Sequence, residues 1–353
     1  MKFRVFVTVL LIVCAAIPIP TSIATFDLNG RPLWPIVPTS EANILVLEYH
    51  SISKAPQNAP FPDLYVSMDS FKKQMDILME LGMTGTSFID CIYQMKAGHV
   101  NLANVVLTFD DGYADNYWVG QYLSSLKFSA TFFIPTAYPG KKFPDRSIFY
   151  MTWDEIRDLF KMGFEIGAHT VDHVPLALAS ESRADYEIKQ SRKDIEQQLK
   201  EIQDQRPKTP LTFSIPLGSY NTSVIQDIEK YGFDGCVTSN HGLLTEMNIQ
   251  KSPRIKVFDD TRMEDVVAKY LRTNLKQGGE LKKGDKGYKV RSLRTILTRL
   301  GHPLEDSDFF DEKMELEVKK YQKYFRLEES GKLNKTTMDR IISDFIDLVV
   351  SKP

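Results

Sequence analysis

Hydrophobic positions in this chain come in short runs separated by amphipathic stretches, and the two patterns predict alternating strands and helices. Residues 105–107 form an apolar run of strand type, and residues 130–134, 164–167, 211–215 and 252–257 add further β-prone runs. Between them the apolar spacing lengthens. Phe71, Met75, Leu78 and Met79 share one face of a helix that Ser67 is placed to cap. Thr152 and Glu155 read as a capping box for a second helix running through Met162. Residues 181–203 predict a long charged helix with a mostly solvated surface. Strand–helix alternation on this scale predicts an α/β fold built on a parallel barrel or sheet.

The pattern changes after Gln277, Gly278 and Gly279. Val290, Leu293, Leu297 and Leu300 fall on one helical face, and Val318, Tyr321, Gln322 and Phe325 on another, which predicts a compact three-helix module. At the other end, residues 25–42 carry Pro32, Pro35 and Pro38 among polar residues and read as an extended linker. Ahead of it, Lys2 and Arg4 precede an apolar run over 5–19, and Thr21, Ser22 and Ala24 offer a small-residue cleavage site. Residues 1–24 therefore read as an export signal, with an uncleaved membrane anchor as the alternative.

Composition narrows the class without naming a chemistry. At 42% hydrophobic and 25% charged residues the chain is ordinary globular protein, with room in 353 residues for one large domain and one small one. Removal of residues 1–24 leaves 42 basic against 46 acidic groups, a balance that gives no sign of a nucleic-acid partner. Beyond Cys14 only Cys91 and Cys236 remain, so no disulfide framework is evident, and whether these two pair is left open.

The candidate chemistry lies where two of the runs end. Asp110 and Asp111 stand in LTFDDGYADNY, directly after residues 105–107, and His169 and His173 form a His-x3-His pair directly after residues 164–167. Adjacent aspartates before a glycine commonly mark a solvated turn, and two histidines four apart mean little by spacing alone. Placement at the C-terminal ends of buried strands, where α/β enzymes carry their chemistry, changes that reading. Two imidazoles and one carboxylate hold a divalent ion with positions left open, and the spare carboxylate can accept a proton from water. His50, in ILVLEYHSIS, reads from the residues alone as a partly buried strand-end histidine.

TFDDG followed by His-Thr-x-x-His resembles the first two motifs of the NodB-like polysaccharide deacetylases, carbohydrate esterase family 4, over residues 43–272. The resemblance implies a distorted, incomplete (β/α) barrel of about seven strands. It also implies Asp110 as general base, and Asp111, His169 and His173 as ligands of a divalent metal, zinc in most members. Two departures point to one branch. The third motif, LTFSIPLGSYN, has no arginine, and the late Leu-x-x-His motif is missing. The combination resembles the poly-N-acetylglucosamine deacetylases, in which a histidine after the first strand is the acid and the third motif reads Phe-x-Tyr-Pro-x-Gly. Here Phe213, Pro216 and Gly218 match, with Ile215 in place of tyrosine. By this resemblance His50 is the acid, with His241 as its competitor, and Arg254 approaches the base in place of the missing arginine. Tyr113 offers a backbone N–H to the oxyanion.

Residues 281–345 resemble the peptidoglycan-binding domain type 1, through positions that include Leu281, Gly284, Gly287, Tyr321, Gln322 and Gly331. The two resemblances together imply a secreted, cell-wall-associated bacterial hydrolase. Its substrate would be an N-acetylglucosamine-containing polysaccharide, either peptidoglycan or poly-N-acetylglucosamine, and acetate would be released. The small domain would bind peptidoglycan, and no stable protein partner is implied. Two alternatives stand beside this one: an O-acetyl esterase of the same fold, and a non-catalytic wall-binding protein.

Overall fold

The apolar runs are strands, and the most continuous of them are buried on both faces. In the computed structural model, which describes residues 34–57, 59–143, 148–202, 206–207 and 209–351, the chain enters through β1 (Ile36–Pro38) and β2 (Leu45–Tyr49). It crosses by α1 (Met68–Glu80) to β3 (Thr84–Thr86), then by α2 (Phe88–Lys96) and β4 (His99–Asn101) to β5 (Asn104–Phe109). Next come α3 (Asn116–Ser125), β6 (Thr131–Ile134), a hairpin of β7 (Lys142–Phe143) and β8 (Ile148–Phe149), α4 (Trp153–Lys161) and β9 (Glu165–Ala168). The large unit ends with α5 (Glu181–Leu199), β10 (Thr212–Ser214), α6 (Thr222–Lys230), β11 (Gly235–His241), β12 (Ser252–Lys256) and α7 (Met263–Lys276).

Seven of these strands form a closed parallel ring in the order β2-β12-β11-β10-β9-β6-β5, shut by five consecutive pairs from Leu45↔Val105 to Tyr49↔Phe109. The expected (β/α) barrel is present, and its ring is complete. Its irregularity lies on the other edge of β5. There β3 pairs with Asn104 to Val106 and β6 takes over at Thr108 and Phe109, so two strands share one edge. The expected caps are in place too. Ser67 accepts from the Ser70 N–H, and Thr152 and Glu155 cap α4 reciprocally.

Alternation along the parallel strands divides the side chains into two sets. Tyr49, Phe109 and Phe132 point outward and stack in series under Phe71 of α1 and Phe164. Inward, the barrel fills in layers. At the N-terminal end of the strands, Glu165 accepts from the Thr131 and Thr212 hydroxyls and from the Ile89 N–H at the start of α2. Burial raises the Glu165 carboxyl to about 7, against the lowering effect of those donors. The middle is Phe133 lying over Gly167, where a Cβ would fall 2.4 Å from the ring. The opposite end carries the charged groups described below.

Two readings of the sequence need correction. The stretch 25–42 is not a free linker over its described part: β1 pairs antiparallel with β4, and Trp34 is buried with its Nε1–H donated to the Leu81 carbonyl at 2.8 Å. Proline spacing signals extended chain, but extended chain also serves as strand when a partner edge is available. The helix at 181–203 ends earlier, as α5 at Leu199; its surface is mostly solvated as expected, with one face burying Ala184, Glu187, Ile188, Ser191, Ile195 and Leu199. The export segment 1–24 lies outside the described residues. Cys91 and Cys236 are both buried and unpaired. No helix among the described residues is long and apolar enough to cross a membrane.

The C-terminal unit is helical, made of α8 (Tyr288–Arg299), α9 (Glu312–Tyr324) and α10 (Lys335–Val350). It is packed against the barrel rather than held apart from it. α10 lies along α7, the Trp34 and Phe345 rings meet edge to face at 6.1 Å, and Lys276 pairs with Asp339 at 2.6 Å.

Candidate active site

β5 and β9 deliver the four motif residues to one end of the barrel. The chain turns sharply there: Asp111 and Gly112 have φ of 71° and 68°, and Thr170 and His173 have φ of 64° and 55°. Left-handed conformations of this kind are uncommon for residues other than glycine and gather where a site over-determines the backbone. The His169–His173 loop is braced from α5, where buried Glu187 accepts from the Val171 and Asp172 N–H groups at 2.7 and 2.9 Å.

The geometry identifies what the first trio can hold. Asp111 Oδ1 lies 3.3 Å from His169 Nε2 and 3.2 Å from His173 Nε2, is itself buried, and has no hydrogen-bond partner. His169 Nδ1 sits 2.7 Å from the Ser214 carbonyl, which accepts and so fixes the proton on Nδ1. That leaves the Nε2 lone pair facing Asp111. A buried carboxylate oxygen without a donor, opposed by an imidazole lone pair, is the donor set of a divalent cation with an oriented histidine behind it. When the imidazoles instead carry a proton on Nε2, their donation to Asp111 outweighs the penalty of burial and holds its carboxyl well below the usual carboxylate range. Asp111 in turn raises His173 above the ordinary imidazole value. Asp111, His169 and His173 therefore fit a metal ion.

Asp110 is turned the other way. Arg254 donates to it through both nitrogens of its fork, Nη1 to Oδ1 at 2.9 Å and Nη2 to Oδ2 at 2.7 Å, and the Ser214 hydroxyl adds a third bond at 3.0 Å. Burial opposes ionisation of Asp110, but the guanidinium outweighs it and holds the carboxyl at about 2. His50 joins this side of the site. Its Nε2 is within 3.9 Å of Glu48, and Glu48, His50 and Asp110 offer ligand atoms within 4.8 Å of one another. The loop behind His50 is fixed by Asp115, which accepts from the Ser51 hydroxyl and the Ile52 N–H, and by Asn116, which donates to the His50 carbonyl.

The remaining candidates separate. Tyr113 follows the Asp111 turn and bridges Tyr150. The bonds of that bridge run from Ala114 N–H to Phe149 and from Met151 N–H to Gly112, so the Tyr113 N–H takes no part in it. Tyr113 stacks on Tyr150, which meets Tyr138 edge to face, and Tyr138 leads on toward the His173 ring. His241 is exposed at the end of β11 and is not brought into the cluster. Trp118 is 63% exposed on α3.

Sequence reasoning missed Glu48 and Ser214. Glu48 had a visible signal, a lone charge inside an apolar strand two residues before His50 and so on the same side of it. Ser214 had none, since its carbonyl meets His169 only through the pairing of β10 with β9, and its hydroxyl meets Asp110 only because the ring closes.

Both units of the chain resemble known proteins. Residues 98–236 match the family model described as "Polysaccharide deacetylase", and residues 286–341 match "Putative peptidoglycan binding domain". The Bacillus subtilis protein "Putative polysaccharide deacetylase YxkH" is 27% identical over 203 residues, 57% of this chain, and the chain spans 66% of that relative's length. Among solved structures, Streptococcus pyogenes deacetylase PplD in complex with acetate is 23% identical. The alignment covers 65% of this chain and 98% of that one at a TM-score of 0.56. IcaB from Ammonifex degensii is 20% identical over 65% of this chain and 97% of its own, at 0.55. At these identities the solved structures establish a shared fold. Glu48, His50 and Arg254 lie outside the matched residues 98–236, yet the barrel brings them to the same end.

Proposed function

Because the chain joins a polysaccharide deacetylase domain to a peptidoglycan-binding domain, we propose that it is a metal-dependent N-deacetylase. Its substrate is an N-acetylglucosamine-containing polysaccharide at the bacterial cell wall, and it releases acetate. The observation that carries this reading is the partnerless Asp111 Oδ1, facing two imidazoles beside an aspartate that an arginine keeps ionised.

Asp111, His169 and His173 would hold the ion, which when bound supplies Lewis acidity toward water and the acetyl carbonyl. The chain's own groups divide the proton work. Asp110, ionised at any ordinary pH, takes the proton from water as its oxygen attacks the carbonyl carbon. The Tyr113 N–H donates to the carbonyl oxygen as that oxygen becomes anionic. His50 gives a proton to the nitrogen as the C–N bond breaks, leaving free amine on the sugar and acetate. The histidine favours an amide over an ester as substrate, because an amine leaves poorly without a proton. The small domain keeps the enzyme close to peptidoglycan, and export across the membrane fits the residue pattern of 1–24.

The test is acetate release by the purified, metal-loaded protein from poly-N-acetylglucosamine and from peptidoglycan, with and without a chelator. Release from at least one polymer that stops on chelation and returns with metal is expected. His169→Ala should lose bound metal and turnover together. A variant that keeps both would show that the ligands have been misassigned.

A further inference from the structure

The barrel interior holds one more charged group beside the site, Glu48, which the proposed chemistry leaves without a role. Its side chain is 4% exposed, and it stands in β2 opposite Thr108 of β5. Carboxylates are seldom buried unless paired, because desolvation penalises the charge. Glu48 Oε2 lies 3.4 Å from Arg254 Nε, and Oε1 lies 3.9 Å from His50 Nε2 and 3.4 Å from the Ser239 hydroxyl. The carboxylate therefore stands within ion-pair range of both the arginine on Asp110 and the histidine across from it.

Arg254 shows how completely this corner is built. Its fork is spent on Asp110, Nη1 also donates to the Thr108 hydroxyl at 3.0 Å, and Nε donates to the Thr238 carbonyl at 3.0 Å. Glu48 lies beside Nε, 3.4 Å away, next to the Thr238 carbonyl that Nε serves. Glu48, His50 and Asp110 are close enough to suggest a second metal site. The guanidinium already supplies the positive charge between the two carboxylates, so a further cation has no place there. Two carboxylates share one guanidinium, and the charge left over faces His50.

We propose that Glu48 is a positioning residue for both proton-handling groups: it seats Arg254 against Asp110 and orients the His50 imidazole toward the substrate nitrogen. This rests on the reading of Asp110 and His50 as base and acid. One carboxylate thereby couples the two halves of the site, with the support in β2 and the acid two positions on, directly after the end of that strand.

The experiment compares metal-loaded full-length protein with Glu48→Gln, which keeps shape and removes charge. Three quantities are read: metal content, kinetics on a chito-oligosaccharide and on 4-nitrophenyl acetate, and the ¹⁵N signals of the His50 ring. Those signals are assigned by their loss in His50→Gln. Glu48→Gln should retain its metal and lose roughly 10- to 100-fold in kcat on the amide, the scale for residues that orient reacting groups. The loss on the ester should be smaller, KM should change little, and the His50 signals should move. Unmoved His50 signals overturn the proposal whatever the kcat, and so does wild-type kcat on the amide. If the wild-type protein releases no acetate from any glycan, the functional reading falls separately, and the His50 signals alone decide the role of Glu48. Should Glu48→Gln fail to fold, Glu48→Asp decides in its place. It keeps the charge but withdraws it by one methylene, so unmoved signals there overturn the proposal equally.

Discussion

The barrel and the C-terminal module both bury polar side chains, and they use them differently. In the module, Gln322 sits in the core with every polar atom engaged. Its Nε2 donates to the Lys332 carbonyl and the Thr337 hydroxyl, and its Oε1 accepts from the Gly331 N–H. Arg294, buried as deeply, donates to the Glu305 and Phe309 carbonyls and pairs with Asp311. These groups tie loops to helices. At the functional end of the barrel, charged side chains are aimed at one another, and Asp111 Oδ1 is left with lone pairs and no donor. Saturated polar burial serves the fold, whereas a carboxylate left open opposite imidazole nitrogens serves a ligand.

The comparison is sharpest for changes that separate activity from stability. Asp110→Asn should cost about 10²- to 10⁴-fold in turnover, the range for a lost general base, while metal content stays at the wild-type level. Steady-state kinetics beside metal analysis checks this, and full activity in the variant would remove Asp110 from the chemistry. Next in size is a change at the contact between the two units. Phe345 is fully buried against Trp34, so Phe345→Ala should destabilise by about 3–5 kcal/mol. Because Trp34 belongs to the segment leading into the barrel, chemical denaturation should show both units weakened together. A barrel transition unchanged from wild type would mean that the contact carries no coupling. For the same reason, truncation after Gly279 exposes Trp34 and the face of α7, and is a poor test of wall binding alone.

A third expectation concerns the N-terminal end of the barrel, whose polar layer lies away from the chemistry. Burial raises Glu165 to about 7, above its unfolded value. Its contribution to stability is therefore complete below an unfolded pKa of about 4.5 and is lost as pH rises through about 7, on the order of 3 kcal/mol in all. Thermal melts across this window should decline for wild type and flatten for Glu165→Gln. Parallel curves for the two proteins would place the pH dependence elsewhere. The smallest effect is in the module, where Gln322→Ala should cost about 1–3 kcal/mol by leaving the Gly331 N–H and the Lys332 carbonyl without partners. Turnover on short soluble substrates should be unchanged, and a fall in kcat there would break the division between the two kinds of polar burial.

What could be read from the sequence follows how local each signal is. Asp110, Asp111, His169 and His173 stand in contiguous motifs at strand ends, and His50 was visible as a polar residue closing an apolar strand, whereas Arg254 came into view only through the family resemblance. The barrel was legible from strand–helix alternation, and the module from two helical stripes. Ser214 and Glu187 were not, because their partners are set by which strands and helices come to lie side by side. The misreading of 34–42 has the same origin. Its prolines announce extended chain, and only the edge of β4 and the groove that takes Trp34 make that chain part of the fold.

Closure of the ring has a consequence for how the protein is made. β2, the first strand of the ring, finds one neighbour early, in β5, but its other edge pairs with β12, the last. A chain produced from its N-terminus must therefore carry β2 with one edge bare until Lys256 has emerged. Contacts of such long separation form late and expose the unfinished chain to wrong partners meanwhile. Glu48 sits on that first strand with the acid directly after it, and Arg254 sits on the last. No partial product of synthesis can hold an assembled site, so the chemistry is switched on only when the circle closes.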